Sequence, residues 1–372
     1  MKTILCILPD YHTVTGGTKI NNQILEVLKS LPGLKVILKD KQIHLKKEDR
    51  NTSRKIPFFI KTIVYNFFYL KYIKESKDKD YIFLDSRIFA RVPLLLLALK
   101  TSNSKAKLII THHHFCFLEQ QRLINSKIYK VLEMNLLKQA DRILVFSNYT
   151  YDEALKNGIP QDKIYLNVLG FDKEIINRDV AKNDKKDLLY IGTIEERKGL
   201  IYLLKAINSI PVDIKSKIKV NIVGSYDPES NYYKELSTYI GDNDLENIVK
   251  FHGWVGDDEI IKMKNQASFF VFPSLYESFG MVIGEAMLYG LPVVAFNNSA
   301  MPYTIKDNFN GLLARDKDYI DLGDKIIKLI VNQDLERKLS EGALQTSGFL
   351  NTAFDFKQGI YNSLENYLFE ND

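Results

Sequence analysis

Short apolar runs alternate with helix-length amphipathic segments along almost the whole chain, the pattern of a parallel α/β sheet covered by helices. ILCIL at 4–8 is the first run, stopped by Pro9-Asp10. Gly16-Gly17 then opens a helix predicted over 21–31 and ended by Pro32-Gly33. KVIL at 35–38, YIFLD at 81–85, LIITH at 108–112 and RILVFS at 142–147 read as further strands, with a helix over 126–139 before the last. Asn148 and Tyr149 enter a short helix after Ser147, and KIYLNVLG at 163–170 closes this half.

Residues 171–187 are polar, charged and without period, as a domain linker is. The alternation then restarts. DLLYIG at 187–192, KVNIVG at 219–224, VKFHGWV at 249–255, SFFVFP at 268–273 and PVVAF at 292–296 read as strands. Helices are predicted between them over 200–210, 232–240, 257–265 and 281–289, and further helices from 322 onward pack outside. The fold class is therefore α/β, with two Rossmann-like, doubly wound domains at 1–172 and 186–349. In open parallel sheets a ligand sits beyond the carboxyl ends of the strands, and two such domains facing each other are expected to enclose a cleft.

Composition narrows the classes. A length of 372 residues exceeds what one core usually needs. Cys6 and Cys116 are the only cysteines and lie in apolar runs, which argues against a disulfide scaffold or a cysteine metal site and fits a reducing, cytoplasmic compartment. The first apolar run is too short for a signal peptide, and no stretch reaches a span of clean apolar residues. The net charge of +5 is unevenly spread. Lys39, Lys41, Lys46, Lys47, Arg50, Arg54, Lys55, Lys61, Lys71 and Lys74 are interleaved with Phe58, Phe59, Tyr65, Phe67, Phe68, Tyr69 and Tyr72. Three readings stay open: a helix with core aromatics and solvated lysines, a surface against anionic lipid, or a nucleic-acid contact. The acidic second half offers no continuous basic stripe, so no nucleic acid is expected as a partner.

The candidate chemistry lies at strand ends. Gly192 ends a strand, and Arg197-Lys198 precede a new helix, where a guanidinium fork and an ammonium suit a diphosphate. A plain surface pair is the alternative. The segment FPSLYESFGMVIGEAMLYGLPVVAF at 272–296 passes from strand through loop to helix. Gly280 permits close backbone approach, and the following helix start offers free N–H groups to an anion. Glu277 in the loop and Glu285 in the helix can each accept from a vicinal diol. A simple helix-capping role for Glu277 is the alternative. Thr111-His112-His113-His114 follows another strand end, with no acidic partner evident nearby and a metal role disfavoured.

Glu277-SFGMVIG-Glu285, set in P-S-x-x-E-S-F-G, together with IGTIEERKGL, resembles family four glycosyltransferases over nearly the whole length. That large retaining group has the GT-B fold and uses nucleotide-sugar donors. The resemblance implies that Arg197 and Lys198 bind the donor diphosphate, Glu277 the transferred sugar and Glu285 the ribose. Gly192, Thr193, Ser278, Phe279, Gly280, Met281 and Val282 would line the donor, and Gly16-Gly17 the glycine-rich loop approaching it. A histidine near the reacting sugar is implied, His113 with His112 and His114 as alternates. Many members carry arginine where Thr193 stands; here the charge falls to Arg197. No metal or cofactor is implied. The expected donor is a UDP-sugar ahead of a GDP-sugar, and the acceptor a saccharide or lipid-linked saccharide, with peripheral contact to the inner face of the membrane. The terminal segment 350–372, carrying Phe354, Phe356, Tyr361, Leu364, Tyr367 and Leu368, is expected to pack back on the first domain. The rival readings are a catalytically silent sugar-binding partner subunit and a nucleotide-sugar epimerase.

Overall fold

The computed structural model describes residues 1–8, 16–39, 76, 78–86, 105–119, 123–172 and 185–369. The chain divides into two compact units, Met1–Leu169 with Ala353–Asp372, and Gly170–Thr352.

In the first unit, β1 (Lys2–Ile7), α1 (Gly16–Ser30), β2 (Leu34–Lys39), β3 (Tyr81–Asp85) and β4 (Lys107–His112) are followed by α2 (Cys116–Glu119), α3 (Leu123–Gln139), β5 (Arg142–Val145), α4 (Asn148–Lys156) and β6 (Ile164–Leu166). The strands form one sheet in the order β2-β1-β3-β4-β5-β6, with every pairing parallel. All five residues of β3 are buried, as a strand covered on both faces requires. Ile20, Ile24, Leu25, Val27 and Leu28 give α1 its buried face. Ser147 caps α4 through its Oγ, which accepts from the Thr150 amide at 3.0 Å.

In the second unit, β7 (Gly170–Phe171) leads to β8 (Lys186–Ile191), α5 (Leu200–Ser209), α6 (Val212–Lys215), β9 (Ile218–Val223), α7 (Asn231–Asp242), β10 (Val249–Gly253) and α8 (Asp257–Gln266). Then come β11 (Phe269–Phe272), α9 (Met281–Leu288), β12 (Val293–Phe296), α10 (Met301–Thr304), β13 (Gly311–Ala314), α11 (Tyr319–Val331), α12 (Gln333–Phe349) and β14 (Asn351–Thr352). The six-stranded order is β10-β9-β8-β11-β12-β13, and β14 pairs with β7 in a small separate sheet. The chain thus starts in the middle at β8, runs to one edge, and returns to lay β11 on the other side of β8. The loops after β8 and β11 leave the sheet in opposite directions at this switch point, which makes it the place where a ligand can enter.

Close backbone approaches fix those loops. Gly199 sits at φ +67°, and a Cβ there would lie 2.0 Å from the Pro273 carbonyl oxygen. Leu275 N donates to Arg197 O at 2.8 Å across the same junction. Gly224, after β9, packs on the chain after β8, where a Cβ would stand 1.9 Å from Gly192 O.

The last helix, α13 (Ala353–Phe369), belongs to the first unit. Lys2 Nζ and Tyr81 Oη both donate to Leu368 O, at 2.6 and 3.0 Å. Phe356, Ile360, Leu364, Tyr367 and Leu368 form its buried face. Two residues expected there are not: Phe354 is 72% exposed and Tyr361 is half-buried. They stand on other sides of the helix from the i, i+4, i+8 row that starts at Phe356. The basic aromatic segment lies outside the described residues apart from Lys39.

Candidate active site

The two loops at the switch point meet on one carboxylate oxygen. Residues 196–198 form a single 3₁₀ turn between β8 and α5, which aims two successive cationic side chains at the loop after β11. Lys198 Nζ lies 2.5 Å from Glu277 Oε1, Arg197 Nη1 3.1 Å from it, and Ser274 Oγ donates to it at 2.9 Å. The Glu277 backbone is held as well. Its N–H donates to Ser299 Oγ at 3.0 Å, and its carbonyl accepts from Ala300 N at 3.1 Å.

The two cations differ in what remains of their donors. Arg197 also donates to Tyr276 O at 2.9 Å and to Glu195 Oε1 at 2.8 Å, so its fork straps the two loops together. Lys198 has three N–H donors and spends one on Glu277, with its ammonium 5.1 Å above the Phe272 ring. It is the better placed of the two to hold an incoming oxyanion.

Gly280 caps α9 at φ +79°, with no side chain bonded to the first amides of the helix. Glu277 therefore does not cap it. Met281 and Val282, its first two residues, are half-buried, as is Ser278. Phe279 stacks on Phe171, ring centroids 5.9 Å apart. Gly192 precedes the exposed Thr193, whose carbonyl accepts from Tyr190 Oη at 3.3 Å. Glu285, one turn into α9, stands apart from Glu277 and pairs through Oε2 with Lys264 Nζ of α8 at 3.1 Å.

In the first unit the three histidines take three different places. His112 is fully buried, edge-on to Phe115 at 4.3 Å, with Nδ1 3.0 Å from Ser86 Oγ. Burial first, and then the neighbouring imidazoles, push its pKa down to about 3, so the ring is neutral. His114 turns outward to Glu119, 3.0 Å away. His113 Nε2 lies 3.1 Å from Asn21 Oδ1 and 3.4 Å from Asp85 Oδ2, and Asn21 Nδ2 donates to the same Asp85 oxygen at 2.5 Å. Because the amide N–H points at a carboxylate, its carbonyl faces the imidazole and accepts from Nε2–H. This corrects the expectation that no acidic partner lies near the histidines. Asp85 and His113 are distant in sequence, but parallel pairing of β3 with β4 sets their carboxyl ends side by side. Gly16 and Gly17 start α1, the helix that carries Asn21; a Cβ built on Gly16 meets no described atom within 4 Å. Among the described residues no cluster of three metal-ligating side chains is present.

Glu133 of α3 is buried beneath this segment and accepts from Cys116 N at 3.1 Å. Loss of solvent pushes its carboxyl up to about 7, against the opposing pull of the Cys116 and Phe117 amides and His114. The raised value means the folded state holds a proton that the unfolded state releases near 4.5, so stability falls as pH rises from about 4.5 to 7. A Glu133→Gln variant, neutral throughout, will escape that loss. It will be more stable than the wild type by about 2–3 kcal/mol at pH 8 and close to it at pH 4.5. Urea melts at the two pH values measure the gap, and a gap independent of pH would refute the assignment.

Residues 172–346 match the family described as glycosyl transferases, group 1. An uncharacterised 41.2 kDa protein of the cps region of Klebsiella pneumoniae is 31% identical over 281 residues, covering 73% of this chain and 71% of that protein. The chain belongs to the group 1 glycosyltransferases. The O-antigen chain mannosyltransferase B of Escherichia coli is 30% identical to this transferase over 193 residues, 49% of each chain. The crystal structure of HepE from Anabaena in complex with UDP and glucose superposes with a TM-score of 0.73 at 19% identity, covering 98% of this transferase and all of that chain. The transferase has the GT-B fold.

Sequence reasoning missed Ser274, Ser299, Lys264, Asn21 and Asp85 as parts of these clusters. Lys264 carried a signal, because it falls on the same helix face as Ile260, Met263 and Ala267 at i, i+3, i+4 and i+7 spacing.

Proposed function

We propose that this glycosyltransferase moves a sugar from a nucleotide-sugar donor, a UDP-sugar ahead of a GDP-sugar, with retention at the anomeric carbon and without a metal ion. The convergence of Lys198, Arg197 and Ser274 on Glu277 Oε1 carries the reading. A carboxylate held by one oxygen has the other, Oε2, to accept a sugar hydroxyl. The ammonium that holds it has donors left for the phosphate beside that sugar. As the glycosidic C–O bond breaks, negative charge gathers on the departing diphosphate, and a fixed cation stabilises that charge without reorganising. The open amides at the start of α9 act in the same sense.

The two glutamates are not an acid/base pair of the hydrolase kind, since Glu277 is engaged by cations and Glu285 by Lys264. In retaining transfer the departing phosphate oxygen itself takes the acceptor proton on the same face. The family resemblance also gives His113 a place near the reacting sugar, and Asn21 and Asp85 fix its ring.

The acceptor belongs to a growing cell-surface polysaccharide and is a saccharide or a lipid-linked saccharide. The relatives named above support this, as does the basic aromatic composition of residues 39–74, which suits peripheral contact with anionic lipid. No helix among the described residues is long and apolar enough to cross a membrane.

The test is incubation with UDP- and GDP-sugars and a mixed saccharide acceptor pool in excess chelator, followed by NMR of the product. One nucleoside diphosphate released, with the donor's anomeric configuration kept, is expected. Inversion, or activity restored only by a divalent ion, would overturn the mechanism.

A further inference from the structure

Lys264 is the only lysine or arginine buried among the described residues, at 7% exposure. Its ammonium lies 3.1 Å from Glu285 Oε2 and 5.3 Å from the centroid of the Tyr289 ring. The pair is asymmetric, with the lysine side chain 8% exposed and the glutamate 38%. The cation therefore sits behind the carboxylate, and the carboxylate faces solvent.

An apolar side chain of similar length would fill this position without desolvating a charge, and buried ion pairs are often no more stable than such a replacement. Stability alone does not account for a lysine here. What the ammonium does is fix an otherwise mobile carboxylate. A free glutamate at the surface samples several rotamers and loses that freedom when it engages a ligand. Held through Oε2, Glu285 has already lost it, and a diol that then binds does not have to order the side chain.

We propose that Lys264 is a positioning residue, presenting Glu285 to the ribose diol of the donor nucleotide and thereby setting a preference for ribo- over 2′-deoxyribonucleotides. This rests on the nucleotide-sugar reading above. An oriented acceptor discriminates strongly between a ligand with the hydroxyl and one without it, whereas a mobile acceptor turns away and loses little.

The experiment is calorimetric titration of the full chain with UDP, 2′-dUDP, GDP and 2′-dGDP. Wild type, Lys264→Met and Lys264→Gln are compared. The wild type is expected to favour the ribo form by about tenfold or more. In Lys264→Met, whose side chain fills the same space, the ratio should fall to about two- or threefold, mostly through weaker binding of the ribo form. Lys264→Gln keeps an N–H donor and should give an intermediate ratio. It also carries the comparison alone if the Met variant does not fold. A role confined to packing would weaken both nucleotides equally and leave the ratio unchanged, which would overturn the inference. Equal binding of ribo and deoxy forms by the wild type would do the same while leaving the proposed function intact. Failure of the wild type to bind any of the four would overturn both.

Discussion

Lys198→Ala will lower kcat/KM for the donor by about two to three orders of magnitude, the size of loss that follows removal of one preorganised oxyanion-stabilising donor from an enzyme site. The ammonium is fixed at 2.5 Å from Glu277 Oε1 and over the Phe272 ring, so little reorganisation is needed when charge develops beside it. Alanine removes the charge and also releases Glu277, whose side chain is only 12% exposed and would keep Arg197 and Ser274 alone. The loss should fall on kcat more than on KM, because charge on the leaving diphosphate is greatest in the transition state. Lys198→Arg should recover little, since a planar fork does not fit the place of a compact ammonium. Steady-state kinetics on the donor chosen by the nucleotide panel will decide the matter. A rate within about threefold of the wild type would mean that the diphosphate is held elsewhere. Arg197→Ala is expected to differ in kind. Its guanidinium ties Tyr276 O and Glu195 as well as Glu277, so its loss should loosen the junction of two loops and lower stability along with rate.

The contrast between these two adjacent cations also marks what a sequence discloses. That a basic pair precedes α5 was legible, because strand, glycine and helix start leave only one place for it. Which of the two is spent as a strap was not, since the Tyr276 carbonyl comes from a loop 79 positions away. The sheets were legible for a similar reason. FFVF in β11 and VVAF in β12 are apolar at every position and buried at every position, as central parallel strands are. Their spatial order was not, because continuous apolar runs carry no register. Asp85 shows the middle case. A carboxylate ending an apolar strand was a visible anomaly, yet its partner His113 became apparent only when β3 and β4 were paired. Lys264 shows the same limit from the helix side. Charge argued for solvent, period argued for the core, and the structure follows the period because Glu285 is there to receive the charge.

The other large effect concerns backbone. Gly199→Ala should destabilise the second unit by roughly 3–5 kcal/mol, placing it among the severe single substitutions. Two costs combine. The residue is left-handed, at φ +67°, which is worth about 1–2 kcal/mol to any residue with a Cβ. The added carbon would also meet the Pro273 carbonyl oxygen at 2.0 Å, and that oxygen is backbone, unable to swing aside as a side chain would. Gly253→Ala supplies the comparison within the same unit. Its φ is +70°, but its Cβ would find only Tyr226 at an ordinary 3.8 Å, so it should lose about 1–2 kcal/mol and no more. Denaturant melts of the two variants separate strain from collision. Equal losses would show that the loops after β8 and β11 can part at little cost. In that event the close approach would not be what holds Lys198 against Glu277, and the rigidity attributed to the site would lose its physical basis. Unequal losses of the expected size would mean that the glycine matters because two strand-end loops must touch there. The folded fraction of Gly199→Ala should then bind nucleotide weakly as well, since the residue it displaces next is Lys198.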